Sequence, residues 1–394
     1  MVHKIRLTAR KGLQLLCFSV FSLSFYNGYA QTISDDIKRE VIQNVSVGQY
    51  EKATTILENN LNIICNDTTG LFDALVNLYF YEKKWDSVIK IYSLHSFSEN
   101  EDTSILDLAR FYSKYNDEKI VLNSTLNIPY KPNRVGTPII EVKVNGKKYR
   151  FWVDTGCGMT VLSLKTAKEC NIKQNSSIST IAKAATGYSV NTTPGLIDSL
   201  SIDNLKVYNH HCIIFASKNL EFKILGIRLL KIDGIIGWNL LQEFDVTIND
   251  KTKTLSLATS INNEKEENFF WWSKPLIACT DSVGQSLLFF IDTGASKAGL
   301  YEPFLDKIDT SNAIKRNTRM VSVGGLRKIR SYMFPNIKLN TGGQTLILEN
   351  VSTLPSNTNG LFEIDGVLGM KELKNCIMHF NIKQGFFTIS SSKI

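Results

Sequence analysis

Between residues 32 and 118 the apolar positions follow a helical period. Leu71, Ala74, Leu75, Leu78 and Tyr79 recur at i, i+3, i+4, i+7 and i+8, the spacing of a stripe that one helix buries. Lys83-Lys84 reads as a turn, and Trp85, Val88, Ile89 and Tyr92 open a second stripe. Gln49-Tyr-Glu-Lys-Ala53 stands 35 residues before Lys84-Trp-Asp-Ser-Val88, which aligns Tyr50 with Trp85 and Ala53 with Val88. That offset is close to the period of tetratricopeptide-like helical hairpins, and two ordinary amphipathic helix pairs account for it equally well.

From residue 119 the pattern shifts to short alternating runs. Ile140, Val142 and Val144 alternate with polar residues up to Asn145-Gly146, a dipeptide suited to a tight hairpin turn. Tyr149, Phe151 and Val153 line the return strand, which ends in Asp154-Thr155-Gly156. The same arrangement recurs later: Gly284 ends a turn, Leu288 to Ile291 form an apolar run, and Asp292-Thr293-Gly294 follows. Eight residues separate Gly146 from Asp154, and eight separate Gly284 from Asp292. Asp233-Gly-Ile-Ile-Gly237 matches Asp365-Gly-Val-Leu-Gly369, at 83 and 77 residues from Asp154 and Asp292 to the closing glycines. Asn249 and Asn381 then stand twelve residues beyond those glycines, with Leu255 and Phe387 six further on. The expected fold is therefore mainly β, two tandem lobes of one design preceded by a small helical hairpin domain, with the polar run Asn262 to Asn268 as the link between the lobes.

The N-terminus has a separate character. Lys4, Arg6, Arg10 and Lys11 precede an apolar run from Leu13 to Tyr26, and Gly28-Tyr-Ala30 supplies small residues for cleavage, the three parts of an export signal. The run is shorter than the ~20 residues needed to span a bilayer. The expected organisation is a signal peptide over 1–30, a helical tetratricopeptide-like segment over 31–118, a first β lobe over 119–262 and a second over 263–394. The mature protein is expected to be exported, periplasmic or secreted, with no membrane span and as a monomer.

Charge alters this picture little. Of the formal net charge of +8 over 394 residues, four cations lie in the leader, and no basic stripe of the kind that tracks phosphates is visible. No nucleic-acid partner is expected. The chain has no Walker-type phosphate loop, no C-x2-C pair and no H-E-x-x-H, so neither nucleotide hydrolysis nor a zinc site is indicated. His210-His211, with no second cluster beside it, reads as a solvated strand or loop, and Phe269-Phe-Trp-Trp272 as packing at the start of the second lobe. Cys65, Cys157, Cys170, Cys212, Cys279 and Cys376 can oxidise outside the cytoplasm, in a pairing that sequence does not specify.

The repeated Asp-Thr-Gly carries the chemistry. Two lobes related by a pseudo-two-fold axis would bring Asp154 and Asp292 together. Two carboxyls in contact share one proton, so the ionised one can deprotonate a water while the other protonates a carbonyl oxygen. That logic is the one described for aspartic protease dyads. Gly156 and Gly294 would let the backbone pass close behind the carboxylates. Thr155 and Thr293 could lock the loops across the interface, and Gly237 and Gly369 would let a strand pass close to each turn.

On these motifs the chain resembles the aspartic proteases, particularly bacterial retropepsin-like ones, over about residues 125 to 390. The two Asp-Thr-Gly motifs in one chain look like the pepsin plan with retropepsin-sized lobes. The resemblance implies a cleft between lobes, endopeptidase action on extended peptides, no cofactor, and hairpin flaps. By position the flap candidates are Gly187 and Tyr188 in the first half and Gly324 and Gly325 in the second. Pepsins place Ser or Thr after the glycine; here Cys157 and Ala295 stand there, which implies an activity optimum less acidic than that of pepsin-like enzymes. The helical part would recruit substrate, bind a protein partner or occlude the cleft as a pro-segment. The rival reading is a peptide- or protein-binding protein that uses the cleft without cutting.

Overall fold

The computed structural model describes residues 33–65, 70–95, 102–183, 189–216, 220–224, 227–259, 267–322, 325–355 and 360–391. The expected leader, the link Asn262 to Asn268 up to residue 266, and the flap candidates Gly187, Tyr188 and Gly324 lie outside these residues. The chain is mainly β with an N-terminal helical region. Among the described residues no helix is long and apolar enough to cross a membrane, and all six cysteines expected in the mature chain are free thiols.

The helical region holds α1 (33–46), α2 (Tyr50–Glu58), α3 (Leu61–Ile64), α4 (Leu71–Tyr81), α5 (Trp85–Leu94) and α6 (Ser104–Tyr112). α4 buries Leu71, Ala74, Leu75, Leu78 and Tyr79, the stripe that its spacing predicts. Lys83 takes a left-handed conformation, φ 59°, and turns the chain into α5, which buries Trp85, Val88, Ile91 and Tyr92. Tyr50 and Trp85 each open a helix. α2 packs on α4, α4 on α5 and α5 on α6.

Strands begin at Lys119 and form two units of matching design. In the first, Pro138–Val144 pairs antiparallel with Lys147–Val153. Asn145 and Gly146 between them have φ of 46° and 83°, the left-handed pair that a two-residue hairpin turn requires. In the second, Pro275–Thr280 pairs antiparallel with Ser286–Ile291. Gly234–Ile236 then joins the first unit parallel to Lys147–Val153, with Gly234 opposite Phe151. Gly366–Leu368 joins the second parallel to Ser286–Ile291, with Gly366 opposite Phe289. Both phenylalanines lie three residues before an aspartate, and each ring fills the place of the glycine's missing side chain. A Cβ on Gly234 would stand 2.4 Å from Phe151, and one on Gly366 2.4 Å from Phe289. The first glycine of each Asp-Gly-x-x-Gly therefore answers an aromatic ring across the sheet.

A third sheet joins the two halves of the chain. Its order is Leu126–Pro129, Thr254–Ala258, Asp245–Asn249, Cys376–Asn381 and Phe386–Ser391, so strands from both sides of residue 262 share one ladder. Its inward residues, including Val246, Ile248, Leu255, Met378, Phe380 and Phe387, merge with the cores of both units.

The helical region is bonded into this β body. The Trp271 amide donates to the Tyr50 hydroxyl at 2.6 Å, and Trp271 stacks on Tyr81 at 5.1 Å and on Trp238 at 5.7 Å. Phe269 to Trp272 are all buried, as expected at the start of the second unit, and Trp271 also clamps the helices to it. The expectation for His210-His211 is corrected: both are buried, at 0% and 3% exposure, in the strand Leu205–Phe215. His210 bonds Glu118 through Nδ1 and the Thr160 hydroxyl through Nε2. His211 packs edge-on against Trp85 and beside Tyr112. His211 is covered by Trp85 of α5 and Tyr112 of α6, His210 by Glu118 and Thr160, and a strand's own sequence carries no sign of what will be laid over it.

Candidate active site

The two strands that end in Asp154 and Asp292 deliver their loops to one point. Each aspartate amide donates to the Asp-Gly-x-x-Gly strand of its own unit, Asp154 to the Ile236 carbonyl at 3.1 Å and Asp292 to the Leu368 carbonyl at 3.0 Å. Each loop is then closed from behind in the same way. Trp238 donates to the Cys157 carbonyl and Asn239 to that of Gly158, while Met370 donates to the Ala295 carbonyl and Lys371 to that of Ser296. Gly237 and Gly369 make this passage possible: a Cβ would lie 2.3 Å from Met159 backbone at one and 2.6 Å from Lys297 backbone at the other.

Four hydrogen bonds lock the loops together across the interface. The Thr155 hydroxyl donates to the Ile291 carbonyl at 2.7 Å and accepts from the Thr293 amide at 3.1 Å. The Thr293 hydroxyl donates to the Val153 carbonyl at 2.7 Å and accepts from the Thr155 amide at 3.0 Å. Both threonines are buried, so these bonds are shielded from competing water. The pairing is reciprocal, residue for residue, as a two-fold relation demands.

This lock sets the Asp154 and Asp292 carboxyls side by side, each against the other loop. Each carboxylate lies behind the other loop's glycine: a Cβ on Gly156 would stand 2.5 Å from Asp292 Cγ, and one on Gly294 2.4 Å from Asp154 Oδ2. Amides hold the carboxylates in turn. Gly156 donates to Asp154 Oδ1 at 2.9 Å, and Gly294 and Ala295 donate to Asp292 Oδ1 at 2.8 and 2.9 Å. Both carboxyls are half-buried. Burial and the charge of Asp292 push Asp154 well above the usual carboxylate range. Burial also raises Asp292, against the opposing pull of the Asp154 hydrogen bond and of Lys274. The pair therefore binds one proton at pH values where an ordinary carboxylate binds none.

Cys157 takes no part in holding the carboxylates through its side chain. Its thiol donates to the Met159 carbonyl at 3.1 Å, and burial together with the Asp154 charge pushes its ionisation far up. It is a packed thiol and not a nucleophile. Ala295 contributes its amide alone. Of the flap candidates, Gly325 opens the strand Gly325–Thr341, paired with Ser322 at the tip of a long hairpin from Ile314.

Three contributors to the site carry no repeated sequence signal. Asn239 Oδ1 accepts from the Thr160 amide at 2.8 Å and from its hydroxyl at 3.1 Å, tying down the chain beyond the first loop. In the second unit Glu372 does the same for the Ala298 amide at 2.7 Å. Asn239 and Glu372 lie two and three residues past their glycines, so no alignment of the two copies pairs them. The third is Lys274, whose ammonium lies 4.3 Å from the Phe290 ring centroid.

Residues 140–232 match the sequence model of a family described as "gag-polyprotein putative aspartyl protease". The match takes in the first Asp-Thr-Gly and stops just short of Asp233. Among solved structures, a retropepsin-like aspartic protease from Rickettsia conorii aligns at 20% identity over 37% of this chain and 95% of its own, with a TM-score of 0.23. No curated protein matches the chain.

Proposed function

We propose that the chain is an exported aspartic endopeptidase, with Asp154 and Asp292 as its catalytic pair. The observation that carries this reading is the mutual placement of the carboxylates, each behind the other loop's glycine and held by the reciprocal threonine lock. A binding protein has no need of two half-buried carboxyls that share a proton, because that arrangement is unfavourable for both unless the proton is used. The similarity of residues 140–232 to an aspartyl protease family supports the same class.

The chemistry follows from the pair. The ionised carboxylate takes a proton from a water between the two, the water oxygen attacks the scissile carbonyl carbon, and the protonated carboxyl donates to the carbonyl oxygen. Because burial raises both groups, the singly protonated form extends to less acidic pH, and activity is expected to peak above pH 4. The leader directs export.

The helical region acts as a fixed part of the enzyme in this reading. Ser104 of α6 accepts the Ile181 amide at 2.9 Å, on the strand Thr180–Lys183 that leads into the first flap candidate. Tyr112 donates to the Cys212 carbonyl at 2.8 Å. Lys83 bridges Glu118 and Glu243.

The test is cleavage of a mixed peptide library by the purified chain between pH 3 and 8, read by mass spectrometry beside Asp154→Asn and Asp292→Asn. Cleavage abolished in both variants supports the pair. A folded protein silent at every pH, or a variant that still cuts, refutes the reading.

A further inference from the structure

Buried side chains join the Asp154 loop to the helical region. Thr160 and Ala298 are equivalent positions, each six residues past its aspartate. At both, a side chain that follows the closing glycine accepts the backbone amide: Asn239 Oδ1 at 2.8 Å in the first unit and Glu372 Oε2 at 2.7 Å in the second. Of the two, Thr160 alone carries a hydroxyl. That hydroxyl donates to Asn239 Oδ1 at 3.1 Å and lies 2.7 Å from His210 Nε2.

From His210 the contacts lead outward to the helices. His210 Nδ1 bonds Glu118, and Glu118 accepts from Lys83 in the turn between α4 and α5. Thr160 and His210 are fully buried and the Glu118 carboxyl nearly so, which shields these bonds from water. Lys83 has a second arm. Its ammonium donates to Glu243 at 2.9 Å, just beyond the short helix Trp238–Leu241. The first residues of that helix close the Asp154 loop through the Trp238 and Asn239 amides. Both arms of Lys83 therefore end on the segment that backs Asp154.

Two further observations put the helices against the same loop. A small cavity is walled by Phe80, Lys83 and Trp85 from the helical side and by Gly158, Met159 and Asn239 from the loop side. Asn239 Nδ2 donates to the His211 carbonyl at 2.9 Å, and the His211 ring lies edge-on to Trp85. The two loops are thus backed differently. Glu372 of its own unit holds the chain beyond Asp292, whereas the contacts behind Asp154 begin in the helical region.

We propose that His210 and Thr160 are positioning residues through which the helical region holds the Asp154 loop in place. Resting on the endopeptidase reading, this makes the helices a working part of the catalytic site. Neither residue touches the reacting atoms. The Thr160 hydroxyl orients Asn239, which fixes the Gly158 carbonyl by its amide and the chain at Thr160 by its side chain, one on each side of Met159. Such backing matters because reacting groups must be held within about 0.5 Å of the productive geometry, and a 1 Å misplacement costs about 100-fold in rate.

The experiment compares His210→Gln and His210→Asn in the full chain. Glutamine carries its amide nitrogen to the reach of Nε2 and so to Thr160; asparagine reaches only the place of Nδ1, beside Glu118. Both lose the packing of the ring, so both melt earlier. The expected result is a kcat about tenfold below the parent in His210→Asn with KM little changed, and most of that loss restored in His210→Gln. Thr160→Val and Thr160→Ser repeat the comparison at the other end of the bond, valine losing kcat and serine keeping it, and this pair decides alone if the His210 variants do not fold. Equal kcat within a folded pair, or an effect confined to KM, overturns the proposal. Amide hydrogen exchange gives a readout independent of activity. Thr160→Val, His210→Asn and, at the helical end, Lys83→Met should each speed exchange at Cys157 and Asn239 by about tenfold and leave Gly294 and Ala295 as in the parent. Exchange unchanged in the first loop, or raised equally in both, overturns the proposal. If no peptide is cut, the protease reading falls, and exchange still decides whether the helices hold the loop.

Discussion

Alanine at position 294 tests the dyad geometry by steric overlap alone. Gly294 does not lie in the left-handed region, so the substitution strains no backbone dihedral. The added methyl would stand 2.4 Å from Asp154 Oδ2, 2.6 Å from Cγ and 2.7 Å from Oδ1. Ordinary contact needs about 3.5 Å, so something must move by about 1 Å. The loop resists, because Gly294 donates to Asp292 and Thr293 is held on both sides of the interface. What yields is the Asp154 carboxyl, which turns away from Asp292. A 1 Å misplacement of reacting groups costs about 100-fold in rate, while the rotation spares most of the fold, so stability falls by no more than about 1–3 kcal/mol. The expected signature is a loss of at least about 100-fold in kcat/KM with a cooperative melt only a few degrees lower. Gly284→Ala is the opposite control: its φ is +87° with nothing within 4 Å of a Cβ, so it should lower stability by about 1 kcal/mol and leave the rate unchanged. Gly294→Ala retaining parental kcat/KM would refute the placement of Asp154 behind that glycine.

Thr155→Val should leave the Ile291 carbonyl and the Thr293 amide unpaired in a buried interface, lowering unfolding free energy by about 2–4 kcal/mol in urea denaturation, with Thr155→Ser close to the parent; equal midpoints for Val and Ser would show that the lock contributes nothing. His211 is buried neutral, its ionisation lowered by burial to about 3. The unfolded chain therefore binds the extra proton first, and stability should fall from pH 6.5 toward 4.5 at up to about 1.4 kcal/mol per unit. His211→Phe should flatten that slope, and a slope equal to the parent's would rule out this origin. Glu118 is pulled down to about 2: its burial opposes the shift, but His210 and Lys83 outweigh it. Its contribution is complete above about pH 4.3 and disappears as pH falls toward 2, so Glu118→Gln should narrow the gap between neutral and pH 3 stability measured by chemical denaturation. Removing residues 31–118 should reduce stability and solubility, since it uncovers Trp271, His211 and His210; a truncated chain that is more active with an unchanged melting temperature would instead identify the helices as an occluding pro-segment.

The doubled design was legible because its signals are local. Asn145-Gly146, the alternation up to Val153, and the recurrence of Asp-Thr-Gly with Asp-Gly-x-x-Gly are each written within a few residues. They mark places where the backbone needs a left-handed turn or room for a neighbour, demands that only a few residue types meet. The helical stripe over Leu71 to Tyr79 is legible for the same reason, as periodicity is a property of one segment. The burial of His210 and His211 was not, because it depends on Glu118, Trp85 and Tyr112, which lie about 90 to 130 residues earlier in the chain. Nor was the ladder that joins Asp245–Asn249 to Cys376–Asn381, nor the roles of Asn239 and Glu372 at unequal offsets. Nothing in the local pattern marks Lys274, whose ammonium lies over the Phe290 ring. Local patterns determine which elements form and which residues are available for chemistry. The environment of a charge is set by groups remote in sequence, so the upward shift of Asp154 and Asp292 arises only when the tertiary fold brings the two loops together.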